Sequence, residues 1–113
     1  MCGISGYVSV ERAVPERTIQ LMTRPLAHRG PDGEGMWVEN RVALGNRRLA
    51  VLDLSPRGHQ PMMSHDRRFV MTYNGEVYNY LELKTDCGSP FETGTDTEVV
   101  LETFSRWGPD GLN

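Results

Sequence analysis

Cysteine is scarce in this chain. Cys2 and Cys87 are the only two, too few for a disulfide framework. Both are read as reduced thiols, which fits a cytosolic setting. No apolar run approaches the ~18 residues that a membrane helix needs, so no spanning helix and no membrane partner are expected. The amino terminus lacks the basic region and apolar stretch of a signal peptide. Positive charge is in deficit too: 12 Lys and Arg face 15 Asp and Glu, a net charge of −3. That balance argues against a general nucleic-acid binder. The doublets Arg47-Arg48 and Arg67-Arg68 are too short to be basic patches. His28, His59 and His65 show no ligand spacing, and no metal site is expected. Repeats and low-complexity segments are missing as well.

Turn formers are plentiful, with twelve glycines and seven prolines among 113 residues, enough chain for one domain with a modest core. From Cys2 to Val10 the pattern alternates. Cys2, Ile4, Gly6, Val8 and Val10 fall on one face of a strand, and Gly3, Ser5, Tyr7 and Ser9 on the other. A helix is predicted from about Pro15 to His28, carried by Ile19, Met22 and Leu26, with Pro25 kinking or splitting it. Met36–Val38 and Val42–Gly45 read as two strands joined at Glu39-Asn40. Leu49–Leu52 is a further apolar piece, residues 53–65 a loop, and Phe69–Tyr73 a strand ending in Asn74-Gly75. A short helix is predicted at Tyr80–Lys84 and a turn at Asp86–Pro90, where Cys87 reads as an incidental loop thiol. Thr95-Asp96-Thr97-Glu98 has the spacing of a capping box. It opens a helix with Val100, Leu101, Phe104 and Trp107 on one face, stopped by Gly108-Pro109. Trp37 and Trp107 read as core. Strand hairpins with interspersed helices predict an α+β fold with a largely antiparallel sheet of about five strands.

The chemistry concentrates at the amino terminus. If Met1 is removed, Cys2 carries a thiol and a free α-amine on one carbon framework. Thiolate is the nucleophilic form of cysteine, and only a few per cent of a free thiol is ionised at pH 7. In general an α-amine titrates near 7.7–8.0 against about 10.4 for a lysine. It can therefore take a proton at neutral pH, as in threonine/N-terminal-amine pairs. Taken singly, the other polar residues have ordinary readings. Arg48 beside Arg47 reads as a solvated pair, Asn74-Gly75 as a type I′ hairpin turn, and Asp96 as part of a helix cap.

Six short motifs occur in one order: Met1-Cys2-Gly3-Ile4, Arg29-Gly30-Pro31-Asp32, Arg48-Leu49, Gln60-Pro61, Asn74-Gly75-Glu76-Val77-Tyr78-Asn79 and Thr95-Asp96-Thr97-Glu98. The set resembles the N-terminal glutaminase domain of glutamine-hydrolysing asparagine synthetases, and the resemblance runs from Cys2 to the end of the chain. It implies an N-terminal-nucleophile αββα sandwich over residues 1–113, in which Cys2 attacks the side-chain amide of glutamine. Asn74 and the Gly75 amide would then form the oxyanion hole. Arg48 would clamp the substrate carboxylate, Asp96 with Glu76 would take its ammonium group, and Leu49 would line the substrate site. Arg29 would lie near the nucleophile as a structural or orienting residue. The family's domain is longer than this chain, which carries no Ser-Gly-Gly-x-Asp-Ser loop. The expectation is thus a domain truncated at its C-terminus, with no cofactor of its own. ATP and Mg are expected only for a synthetase domain in a full-length parent, which makes asparagine. An open sheet edge would favour homo-oligomers. Two alternatives stand beside the glutaminase: a non-catalytic glutamine-binding or assembly fragment, and the glutaminase domain of another class II amidotransferase with a different ammonia acceptor.

Overall fold

A computed structural model describes residues 1–113. Strand β1 (Gly3–Val8), strand β2 (Gly33–Glu39) and strand β3 (Val42–Arg48) form an antiparallel sheet in the order β1-β3-β2. The β2–β3 hairpin turns at Asn40-Arg41, with Asn40 at φ 51, a left-handed conformation that asparagine tolerates well. Both strands run further than the sequence predicts. The extra length carries Arg48 to the end of β3, beside the β1 terminus where Gly3 pairs with Arg47.

Helix α1 (Glu16–Thr23) lies across one face of this sheet, and a 3-10 turn at Arg24–His28 follows it. Pro25 accounts for the break, since it cannot donate to an α-helical ladder. The small core, Val14, Ile19 and Ala43 with Met36 and Val38 against them, fills the space between helix and sheet.

Of the two faces of β1, the one with Gly3 and Ser5 packs inward. Gly3 is buried and Ser5 bonds Thr23 of α1 through their hydroxyls at 2.8 Å, whereas Ile4 is 47% and Val8 69% exposed. Small residues win the inner face because α1 and the turn after it come so close. A Cβ at position 3 would lie 2.7 Å from Leu26 Cβ.

A second, two-stranded sheet pairs strand β4 (Met62–Met63) with strand β5 (Val70–Met71). It borders the other face of the first sheet, where Asn46 donates to Gln60 at 3.2 Å and to Thr72 at 3.0 Å. Strand β4 falls inside the stretch read as loop from sequence, and β5 is shorter than the predicted strand. Helix α2 (Tyr80–Cys87) and helix α3 (Asp96–Trp107) complete the α+β fold. Helix α2 overruns the predicted turn and ends at Gly88, whose φ of 61 suits glycine. Cys87 is therefore fully buried at a helix end rather than an incidental loop thiol.

Helix α3 is buried over a wider arc than its apolar face. Leu101 of that face is buried and Val100 and Phe104 are half-buried, but Asp96, Glu98, Val99, Glu102 and Thr103 are buried as well, while Trp107 is 40% exposed and Trp37 only half-buried. Carboxylates face inward because they satisfy loop amides. Glu98 accepts from the backbone of Glu92 (2.8 Å) and Thr93 (2.7 Å), and Glu102 accepts from His65 N at 2.8 Å. The expected capping box is half-made. Thr95 Oγ1 accepts from Glu98 N at 3.3 Å, but the Glu98 side chain reaches back past Thr95 to the loop. Burial opposes ionisation of Glu98, yet the amides of Glu92 and Thr93, the Thr93 hydroxyl and His65 outweigh it and hold this carboxyl below its ordinary range. No helix is long and apolar enough to cross a membrane.

Candidate functional site

A cavity of about 400 Å³ opens where the ends of β1 and β3, the segment after β5 and the start of α3 converge. That volume is in the usual range for small-molecule sites. Cys2, Arg48 and Leu49 line it from the first sheet. Asn74, Gly75 and Glu76 line it from the segment after β5, and Asp96 from the α3 N-terminus. Residues up to 94 positions apart in the chain thus face one space. Arg29 is not among them. It is exposed at the end of the 3-10 turn and its side chain makes no hydrogen bond or ion pair. Its neighbours in the motif brace β3 instead, through Asp32 N to Arg48 O at 3.0 Å and Ala50 N to Asp32 Oδ2 at 2.9 Å.

Cys2 is half-buried at the cavity edge. Leu49 N donates to its sulfur at 3.3 Å, and the thiol faces Leu49 O at 3.6 Å. This contact ties the thiol to the residue next to Arg48. The Arg48 guanidinium is held by main-chain carbonyls, its two terminal nitrogens donating to Ser55 O at 2.9 Å and to Asp53 O. It is fixed without being neutralised by a carboxylate side chain, so its charge remains available to the cavity.

Asp53 anchors the loop that supplies those carbonyls. Its carboxylate accepts from Ser55 N at 2.8 Å and from Gly94 N at 3.0 Å. Hydrogen bonding by Ser55, then by the Gly94 amide, with help from the Arg48 charge, lowers its pKa from 3.8 to about 2. A carboxyl whose pKa is lowered by folding stabilises the fold above its unfolded value, and that contribution is lost as pH falls through the folded value. The stabilisation from this tie should therefore be full above about pH 4 and be lost as pH falls to about 2, where the tie itself is half released. The Gly94 and Ser55 amide resonances should titrate with a midpoint near 2; a midpoint at 3.8 would show that the tie is not made in solution.

Asn74 and Gly75 do not form a hairpin turn; residues 72–77 are irregular. The Asn74 carboxamide and the Gly75 amide make no hydrogen bond within the chain, so both are free donors at the cavity wall. A side chain at position 75 would collide with Tyr73, whose hydroxyl would stand 2.5 Å from its Cβ. Glycine there lets the Tyr73 ring and the backbone approach each other. Burial first, then the charges of Asp96 and Glu76, raise the Tyr73 pKa above 10.0, which keeps the phenol protonated. Asp96 is buried at the first turn of α3 and accepts from Val77 N at 3.0 Å. It thereby joins α3 to the Asn74–Val77 segment.

Several cavity residues have no functional reading in the sequence: Asp53, Tyr73, Thr95 and Thr97. Asp53 falls in a loop, Tyr73 in a strand, and the two threonines in a helix cap. Their neighbours in the chain, Asn74 for Tyr73 and Asp96 for the threonines, were the available signal.

The arrangement combines a thiol, a fixed cation, buried and exposed carboxylates and two unpaired N–H donors around a space fit for a small molecule. Such a set suits a zwitterionic amino acid held beside a nucleophile. Over its whole length, residues 1–113, the chain matches the family model described as a glutamine amidotransferase domain, and it belongs to that family. Among curated proteins it is 41% identical, over 97% of its length, to a protein of Methanocaldococcus jannaschii provisionally named glutamine-hydrolysing asparagine synthetase 2. It is 38% identical over 97% of its length to glutamine-hydrolysing asparagine synthetase 3 of Bacillus subtilis. With asparagine synthetase B, glutamine-hydrolysing, of Escherichia coli, identity is 34% and the whole chain is covered. The chain spans only 25%, 19% and 21% of these three relatives.

Proposed function

We propose that residues 1–113 form the glutaminase part of a larger ligase, releasing ammonia from glutamine for ATP-dependent asparagine synthesis by a synthetase domain of the parent protein. The observation that carries this reading is the single cavity shared by Cys2, Arg48, Asn74, Gly75 and Asp96. In this reading the two sheets belong to an N-terminal-nucleophile αββα sandwich. ATP and Mg serve the synthetase domain, and the residues named here need neither.

Met1 lines the cavity mouth and is 73% exposed, so it is accessible for removal. Its loss frees the Cys2 α-amine as the base for the thiol proton. The sulfur adds to the glutamine side-chain carbonyl, and the C=O electron pair moves onto oxygen. Asn74 Nδ2 and Gly75 N donate to that oxyanion. As the carbonyl re-forms, the C–N bond breaks, and the amine's proton passes to the departing ammonia. The γ-glutamyl thioester is then attacked by water, whose proton returns to sulfur through the α-amine, and glutamate leaves. Arg48 pairs with the substrate α-carboxylate through its planar fork. Asp96, assisted by Glu76, pairs with the α-ammonium, and Leu49 packs beside the aliphatic stem.

Glutamine added to the Met1-free chain should yield glutamate and ammonia in equal amounts, with asparagine and D-glutamine far poorer substrates. A correctly processed, folded chain that releases no ammonia from glutamine would contradict the reading.

A further inference from the structure

Gln60 has no role in the chemistry above, although it is only 6% exposed and borders the cavity. Its carboxamide touches three separate parts of the molecule. Oε1 accepts from Tyr73 N at 2.6 Å and from Asn46 Nδ2 at 3.2 Å, while Nε2 donates to Thr97 Oγ1 at 3.2 Å. The orientation of the amide is fixed by chemistry, because Tyr73 N–H can only donate and must face the oxygen. Each partner lies within two residues of a residue of the proposed site. Tyr73 precedes Asn74-Gly75, Thr97 follows Asp96, and Asn46 lies two residues before Arg48 on β3. The backbone is held just as closely, since a Cβ at Gly35 would run into Gln60 O.

We infer that Gln60 is a positioning residue: its one side chain sets the oxyanion donors, the ammonium partner and the carboxylate clamp at fixed separations. The assignment rests on the glutaminase reading above. Few side chains could do this. A carboxamide has both an acceptor with two lone pairs and N–H donors. Methionine of similar length has no donor and only a weak sulfur acceptor, and glutamate lacks the donor. Positioning matters because a misplacement of about 1 Å at a reacting centre can cost roughly 100-fold in rate.

The test compares glutamine turnover by the wild-type chain with that of Gln60→Met, Thr97→Val and Thr97→Ser, each checked for fold by circular dichroism. Gln60→Met should lower kcat about 10- to 100-fold, and exchange of the Tyr73 amide with solvent should accelerate while the β2–β3 amides stay protected. Thr97→Val keeps the shape of the side chain and removes only the hydroxyl. It should lower kcat/KM about tenfold, roughly the effect of one lost hydrogen bond, and Thr97→Ser should restore it. If Gln60→Met does not fold, the Thr97 pair decides alone. Wild-type turnover together with unimpaired turnover in the folded variants would overturn this assignment and leave the glutaminase reading standing. A wild-type chain without turnover would overturn both.

Discussion

Replacing Cys2 by alanine should abolish ammonia release from glutamine, with a loss on the order of 10⁴-fold or more, as for removal of a covalent nucleophile elsewhere. The fold should survive the change. Cys2 is half-buried, and its only polar contacts are the pair with Leu49 N and O. Losing them should cost about 1 kcal/mol or less. Glutamine should still bind, because Arg48, Glu76 and Asp96 are untouched. The measurement is kcat in a coupled glutamate assay, with glutamine binding to the variant followed by calorimetry. Retained turnover in Cys2→Ala would remove the thiol from the mechanism altogether. Cys87 offers no substitute nucleophile, since it is fully buried at the end of α2.

Asn74→Ala should lower kcat by about 10²–10³, equivalent to about 3–4 kcal/mol of lost oxyanion stabilisation. The effect should appear in kcat with KM little changed, because in the proposed mechanism the carboxamide engages charge that develops only in the transition state. Stability should hardly move, as Asn74 makes no hydrogen bond within the chain that truncation could break. That combination is diagnostic. A large fall in melting temperature with an unchanged kcat would make Asn74 a structural residue. A rise in KM alone would make it a ground-state binding residue.

Local rules in the sequence account for much of the fold. Two short apolar runs joined at Glu39-Asn40 mark the β2–β3 hairpin, Pro25 marks the split after α1, and the Thr95–Glu98 spacing marks the start of α3. The misreadings share a cause. Hydrophobic pattern does not say which neighbour a face will meet. On β1 the small residues Gly3 and Ser5 face α1 and the 3-10 turn after it, which at Gly3 comes too close for a larger residue, leaving Ile4 and Val8 outside. On α3, Glu98 and Glu102 turn inward to serve loop amides from residues 65, 92 and 93, which no helical periodicity encodes. Strand β4 is two residues long and set among turn formers, too short for any period to register.

The candidate site was legible for a different reason. Cys2, Arg48, Leu49, Asn74, Gly75, Glu76 and Asp96 were singled out by motif order, and all border one cavity. Arg29 was singled out by the same logic and stands apart from it. The supporting residues, Asp53 with its loop tie and Gln60 with its three-way contacts, act through hydrogen bonds that only the folded chain brings together.

If Cys2 is an N-terminal nucleophile in a formed glutamine site, it should be alkylated by a diazo-ketone analogue of glutamine, read out by intact mass. A single adduct is expected on a chain lacking Met1, suppressed by glutamine and absent from Cys2→Ala. A processed chain that takes up no label, or one labelled at Cys87, would contradict it.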